Sequence, residues 1–131
     1  MLKLVKERIA RSGGEAGFTL IELLVVIVII GILLAIAVPS YLGFRDRANA
    51  AAAKANVRSA VPAIEAYYGD NQTYVGMTVA GLRSQYDSGI SSSLTLGSLT
   101  ASSYCVSSAV GGKIAKKDGP SSDIADAAAG C

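Results

Sequence analysis

The chain has 131 residues, of which 51% are hydrophobic and 17% are charged, and its formal net charge is +2. This length allows one small folded domain with an additional segment, and it is too short for two full domains. Because the sequence contains no histidine, it has no Ser-His-Asp triad, no Cys-His pair and no histidine-ligated metal site.

The net charge comes entirely from the first segment, Met1–Gly17. This segment contains four basic residues, Lys3, Lys6, Arg8 and Arg11, and two acidic residues, Glu7 and Glu15. Basic residues before a hydrophobic span keep that end of a chain in the cytoplasm, so we expect the rest to be exported. The exported part is electrically balanced and gives no reason for nucleic acid as an obligatory partner. Contact of Lys113, Lys116 and Lys117 with DNA or an anionic surface stays an alternative.

A long apolar run follows the basic segment. Within Phe18–Val38 only Thr19, Glu22 and Gly31 interrupt the hydrophobic residues. A helix of about 21 residues spans roughly 31 Å, the thickness of the hydrocarbon core of a bilayer. The run therefore predicts a membrane-spanning helix. A charge inside such a helix costs about 2.5–3.5 kcal/mol and usually has a partner, so Glu22 is a candidate functional residue. A position at the membrane interface is the alternative.

Beyond Pro39 the sequence pattern changes. Apolar residues recur at three- and four-residue steps from Tyr41 to Tyr68, with charged residues between them, which is the pattern of an amphipathic helix. Gly69–Asn71 has the composition of a turn that ends it. Three regions are predicted: a leader of residues 1–17, a long helix of residues 18–68 with its membrane part at 18–38, and a head of residues 69–131.

The head contains short runs of β-type residues separated by small polar ones. The predicted strands are Leu94–Thr100, Ser103–Ala109 and Lys113–Lys117, with Val110–Gly112 as a tight connection. A sheet this small is not stable alone and must pack on the exported half of the helix. The predicted fold class is α+β, with a long N-terminal α-helix packed against a small antiparallel β-sheet.

Cys105 and Cys131 are the only cysteines, and both lie in the part predicted to be exported. An even number of cysteines outside the cytoplasm indicates a disulfide. We expect these two residues to be bonded and to close a C-terminal loop, with a stabilisation of about 3.5 kcal/mol.

The residues at the start of the apolar run resemble the signature of the type IV prepilins. They are Gly17-Phe18-Thr19-Leu20-Ile21-Glu22, after a short basic leader and before a hydrophobic helix. Pro39 lies where the family's helix usually bends. The resemblance covers roughly residues 1–70, and the head is similar only in kind.

The resemblance implies a role for each signature residue. A prepilin peptidase would cleave after Gly17 and methylate the new amine of Phe18. Glu22 would pair with the Phe18 ammonium of a neighbouring subunit during assembly, which reduces the cost of burying both charges. The segment between Gly31 and Pro39 would unwind in the filament, and a simple bend at Pro39 is the alternative. The chain would be a substrate and not an enzyme, with no catalytic residue, cofactor or metal.

The implied function is a structural subunit of a type IV pilus, first in the inner membrane and then in a surface filament for adhesion, twitching motility or DNA uptake. Its partners would be other copies of the chain, the membrane, the prepilin peptidase and the pilus assembly machinery. A pseudopilin of a type II secretion or competence system is the first alternative. The second is an ordinary signal peptide cleaved after Ala37, which would release a soluble domain of residues 38–131.

Three smaller alternatives concern the exported part. Asp118, Asp123 and Asp126 would supply oxygen ligands to Ca²⁺, as in some secretion pseudopilins. Asn71-Gln72-Thr73 matches a glycosylation acceptor. Aromatic residues along the helix would conduct electrons, although helical packing explains their spacing.

Overall fold

The computed structural model describes residues 17–131, so the predicted leader lies outside the described residues except for Gly17. Within that range the elements are helices α1 (Leu20–Asn71) and α2 (Val79–Gln85) and strands β1 (Leu94–Gly97), β2 (Cys105–Val110), β3 (Lys113–Asp118) and β4 (Ala125–Ala127). The predicted α+β class is confirmed. The chain divides into two compact units, one ending at Ser40 and the other formed by Tyr41–Cys131.

The first unit contains the apolar beginning of α1. No charged residue occurs between Glu22 and Arg45, and the helix is long and apolar enough to cross a membrane. Every described side chain up to Ser40 is exposed within the single chain. A helix that is hydrophobic on all sides requires lipid or other protein around it, so this part of α1 needs a cover that residues 17–131 of the single chain do not supply.

Helix α1 continues without interruption through Gly31 and Pro39. Relative to alanine, glycine destabilises a helix interior by about 1 kcal/mol and proline by about 3 kcal/mol. An unpaired backbone group in hydrocarbon costs several kcal/mol, which favours the helix in a lone membrane-embedded subunit. Unwinding or bending of this segment in a filament stays a prediction.

The second unit uses the later part of α1 as one layer of its core. The buried residues of this helix are Ala53, Val57, Ala60, Ala63 and Ile64. Their three- and four-residue spacing places them on one face, which confirms the predicted amphipathic pattern. Three of the five are alanines, so their short side chains let the rest of the unit pack close to the helix backbone.

Helix α1 ends at Asn71 rather than at residue 68. Gln72 follows with a φ of 58°, and its amide donates to the carbonyl oxygen of Tyr68 at 2.8 Å. A residue in the left-handed conformation commonly ends a helix, because its amide then satisfies a carbonyl of the last turn. Gly69, the predicted start of the turn, is still helical.

The strands form one antiparallel sheet in the order β1-β2-β3-β4. A hairpin joins β2 and β3, and its register pairs Val110 with Lys113. Between them Gly111 and Gly112 have φ values of 54° and 80°, as a type I′ turn requires. Gly111 also lies against α1, where a Cβ atom would collide with the side-chain amide of Asn49. The predicted tight connection is confirmed.

Several predicted bounds in the head were wrong. Strand β1 ends at Gly97 instead of Thr100, and β2 begins at Cys105 instead of Ser103. The residues between them form a turn in which the Thr100 amide donates to the Ser103 carbonyl at 2.9 Å and the Ser103 amide donates to Thr100 Oγ1 at 2.9 Å. Helix α2 and strand β4 were not predicted.

The predicted disulfide is confirmed, with Cys105 and Cys131 bonded and their Cα atoms 5.9 Å apart. The backbone amide of Cys131 also donates to Ser107 Oγ at 3.0 Å. Cys105 and Ser107 are both buried, so the bond and the hydrogen bond together hold the last described residues against β2.

Candidate processing and assembly site

Thr19 and Glu22 form a reciprocal hydrogen-bonded pair at the start of α1. The Glu22 amide donates to Thr19 Oγ1 at 3.2 Å, while the Thr19 amide donates to Glu22 Oε2 at 2.8 Å. The Thr19 hydroxyl also donates to Glu22 Oε2 at 3.0 Å. This is a capping box, which satisfies amides that the first turn of a helix leaves without intrahelical partners.

The capping box gives Glu22 a partner within its own chain that the sequence analysis missed. A threonine followed three residues later by glutamate, just before a hydrophobic run, is the sequence signal for it. The carboxylate near the helix N-terminus also faces the positive end of the helix dipole. The charge of Glu22 is thus partly compensated before any other subunit binds.

Gly17 and Phe18 precede the cap in non-helical backbone. Phe18 is 96% exposed, and a Cβ atom at Gly17 would meet no atom within 4 Å. The peptide bond between them therefore lies in an accessible stretch immediately before a helix start. In the uncleaved chain the Phe18 nitrogen is an amide, and it becomes a charged amine only after cleavage.

The aspartates considered as alternative calcium ligands are not brought together. Asp126 pairs with Lys54 at 2.9 Å, and Asp118 pairs with Lys116 at 3.0 Å. Among residues 17–131, no group of three or more His, Cys, Asp or Glu side chains could hold a metal ion. The calcium alternative therefore has no support in this part of the chain.

The lysines considered for DNA contact are engaged with other residues of the described chain. Lys113 pairs with Asp46 at 3.6 Å, and Lys116 has its aspartate partner. The ammonium of Lys117 donates to the carbonyl oxygens of Pro120 and Ser122. Lys113 connects β3 to α1, Lys117 connects it to the loop that follows, and Lys116 pairs within the strand, so the three side chains do not form a free basic patch.

The tyrosines of the head pack against one another. The ring centroids are 4.6 Å apart for Tyr68–Tyr74, 4.8 Å for Tyr74–Tyr104 and 6.3 Å for Tyr67–Tyr86. Tyr74 and Tyr104 are buried core residues. Core packing, with the favourable offset and tilted ring geometries, accounts for these positions without electron conduction.

Glu65 is an exposed carboxylate that buried Tyr74 orients. The Tyr74 hydroxyl donates to both of its oxygens at 3.3 and 3.4 Å. Burial raises the pKa of Tyr74, and the Glu65 charge raises it further. The same two causes raise the pKa of Tyr104. The role of Glu65 is not apparent from the sequence, because its orientation depends on residues that only the fold brings together.

Comparison with known proteins agrees with this geometry. Residues 13–38 match the family described as the prokaryotic N-terminal methylation motif. The type IV wide pilus major component PilA4 of Thermus thermophilus is 40% identical over 94 residues, which cover 69% of this chain and 70% of that protein. The type IV narrow pilus major component PilA5 of the same organism is 64% identical over 52 residues, 40% of this chain and 41% of that protein.

Secretion proteins match a shorter part of the chain. The type II secretion system core protein G of Pseudomonas aeruginosa is 42% identical over 60 residues, which cover 46% of this chain and 42% of that protein. The helix-first α+β fold, the capped apolar helix and the extended similarity to a pilus component together define the class. The chain belongs to the type IV pilin family.

Proposed function

We propose that the chain is the structural subunit of a type IV pilus and polymerises through its apolar helix. The observation that carries this proposal is the exposure, on all sides, of every described residue before Tyr41. Lipid covers such a helix in the precursor. In a filament, the same surface is covered by the helices of neighbouring copies. The subunit therefore uses one helical surface both to stay in the membrane and to assemble.

Maturation begins with cleavage between Gly17 and Phe18 by a prepilin peptidase, followed by methylation of the Phe18 amine. Support comes from the exposed, non-helical backbone at these residues. A glycine before the cut lets the extended chain enter a narrow peptidase site without a side chain. The chain contributes the substrate, and we assign it no enzymatic activity.

Cleavage also changes the charge balance at the helix start. It converts the Phe18 amide into an ammonium beside the capping box, and in a filament both that ammonium and Glu22 leave the aqueous phase. We assign Glu22 the role of binding the Phe18 ammonium of a neighbouring subunit. An unpaired buried charge destabilises strongly, and a paired one much less, so this contact favours a single assembly register.

The precursor lies in the cytoplasmic (inner) membrane with the head outside, and the mature subunit lies in the surface filament. The basic leader supports this orientation. The partners at each stage are the peptidase and the pilus assembly machinery, and the final partners are other copies of the chain. The disulfide of the head agrees with its exposure to an oxidising compartment.

A pseudopilin of a secretion system is the second candidate, because the secretion relatives share the helical part. The extent of similarity favours the pilus. A match over 94 residues must extend past Asn71 into the head, whereas a match over 60 residues need not. A signal peptide cleaved after Ala37 is not favoured, since it would discard the helix start on which the family similarity rests.

The test is to image and shear filaments from four kinds of cell. These cells express the parent chain, lack the chain, or express it with Glu22→Ala or with Glu22→Asp. We expect long filaments containing the chain from the parent, none without it, and few from Glu22→Ala despite normal membrane levels. Glu22→Asp keeps the charge and serves as the matched control. Normal filaments from Glu22→Ala would refute the Glu22 pairing, and protein secretion without surface filaments would establish the pseudopilin.

A further inference from the structure

One face of the later part of α1 is exposed and bears two charged residues that form no ion pair among residues 17–131. It consists of small side chains, Pro62 and two charged residues of opposite sign, Arg58 and Glu65. The small members are Ala51, Ala52, Ala55, Ser59, Ala66 and Gly69, all exposed. Small side chains let a second helix approach closely, so this face is suited to pack against another helix.

The charges on this face are not neutralised within the described chain. The ion pairs among residues 17–131 join Lys54 to Asp126, Lys113 to Asp46 and Lys116 to Asp118, and none includes Arg58 or Glu65. An assembly that covers the face would remove both charges from water. Each would then be strongly destabilising unless it met an opposite charge from another copy.

The Glu65 carboxylate is preorganised for such a contact. The hydroxyl of Tyr74, whose side chain is buried, donates to both carboxylate oxygens. A carboxylate that is already fixed loses little side-chain entropy when it binds. A guanidinium is the suitable partner, because it binds a carboxylate through two parallel hydrogen bonds.

The spacing of the two residues sets the geometry of pairing between parallel copies. Copies in axial register would place arginine beside arginine and glutamate beside glutamate, which is repulsive. Arg58 and Glu65 are separated by seven positions, so they lie about 10.5 Å apart along the axis and within about 20° of one another around it. A second copy shifted by that distance brings its Arg58 level with Glu65 of the first.

We propose that this face of α1 is a contact between copies of the chain, in which Glu65 of one copy binds Arg58 of a second copy displaced axially by about 10.5 Å. The inference rests on the proposed filament function and adds a specific head-level contact to it. Charge attraction in this arrangement sets the size of the axial step between the two copies.

Charge exchange in the full-length chain tests the proposal, with sheared filament yield as the readout. The charge-exchange variants are Glu65→Arg, Arg58→Glu and the two combined. A further variant, Glu65→Gln, removes the charge while leaving an acceptor for the Tyr74 hydroxyl. We expect each single variant to lower the yield at least about tenfold, the change that about 1.4 kcal/mol produces. The combined variant should recover most of the yield.

The control is the substitution Arg45→Glu. Arg45 is exposed on another face of the same helix, so this substitution should not rescue Glu65→Arg. Subunit level in the membrane and formation of the Cys105–Cys131 bond verify folding of each variant. Single variants with parental yield, or a folded combined variant no better than the singles, would overturn the proposal.

Three further outcomes are also decisive. Rescue of Glu65→Arg by Arg47→Glu instead of Arg58→Glu would overturn the proposed register, because Arg47 lies about 27 Å from Glu65 along the helix. If the unmodified chain forms no filaments at all, the proposed function itself fails and this contact fails with it. Filaments from the parent with no effect of any variant refute the contact alone.

Discussion

Thr19 and Glu22 each bind the backbone amide of the other, so the residue assigned to subunit assembly also caps its own helix. The two roles are compatible, because a carboxylate has two oxygens and several acceptor positions. Only Oε2 takes part in the contacts with Thr19. Oε1 is left for the ammonium of a neighbouring subunit.

The first prediction concerns the cap itself. Thr19→Ala should destabilise the first turn of α1 by about 1 kcal/mol, because the side-chain acceptor for the Glu22 amide is lost. Thr19→Ser retains the hydroxyl and is the control. Amide hydrogen exchange at Leu20–Leu23 in the lipid-embedded chain should be about fivefold faster in the alanine variant only. Equal exchange in all three chains would contradict the capping box.

The second prediction concerns the β2–β3 turn. Gly111→Ala and Gly112→Ala both force a positive φ on alanine, at a cost of about 1 kcal/mol or more. Only Gly111→Ala also collides with Asn49. Thermal unfolding should therefore show the larger loss for Gly111→Ala, and Gly111→Ala combined with Asn49→Gly should recover part of it. Equal losses at the two glycines would show that the turn does not pack on α1.

The third prediction concerns alkaline pH. Tyr104 is buried, its hydroxyl has no hydrogen-bond partner among the described residues, and burial followed by the Glu65 charge raises its pKa. The folded state therefore holds this proton more tightly than the unfolded state, whose pKa is about 10, and stability falls as the pH rises above that value.

Tyr104→Phe should consequently leave stability at pH 7 unchanged or raised and should flatten the alkaline loss. Tyr74→Phe removes a real hydrogen bond to Glu65 and should cost about 1 kcal/mol at neutral pH. Unfolding free energies of both variants at pH 7 and above pH 10 provide the check. A neutral-pH loss for Tyr104→Phe as large as that for Tyr74→Phe would show that the Tyr104 hydroxyl is hydrogen-bonded after all.

The fourth prediction concerns Gly31 and Pro39. In the single chain α1 is helical between them, but in a filament neighbouring helices replace lipid and the weak segment should unwind. A filament map at side-chain resolution should show extended backbone within Ile32–Val38. Pro39→Ala should give filaments that stretch less under load. Continuous helical density through this segment would reject the idea.

The sequence predicted the parts of the fold that depend on strong periodic patterns. The apolar run before Pro39, the amphipathic face of α1 and the Gly111–Gly112 turn each follow from a local pattern. Strand β4 could not be predicted, because Ala125–Ala127 has little intrinsic preference for a strand and pairs only because β3 offers its edge. Helix α2 contains Gly81 and depends on the cap that Thr78 provides.

The sequence predicts the roles of some residues of the candidate site but not of others. Gly17, Phe18 and Glu22 follow from the family resemblance, and the Thr19–Glu22 spacing carried a capping signal that was overlooked. The orientation of Glu65 by Tyr74 was not accessible, because these residues meet only after α1 and the following loop pack together. Contacts between copies depend on where a second copy lies, which the sequence of one chain does not specify.

The most direct test of the central claim is the intact mass of the chain isolated from the cell envelope. The mature protein should begin at Phe18, carry one additional methyl group on its amine and retain the Cys105–Cys131 bond. Fragmentation should place the methyl group on Phe18. A chain that begins at Val38, or one that retains Met1–Gly17 in the filament fraction, would contradict the account.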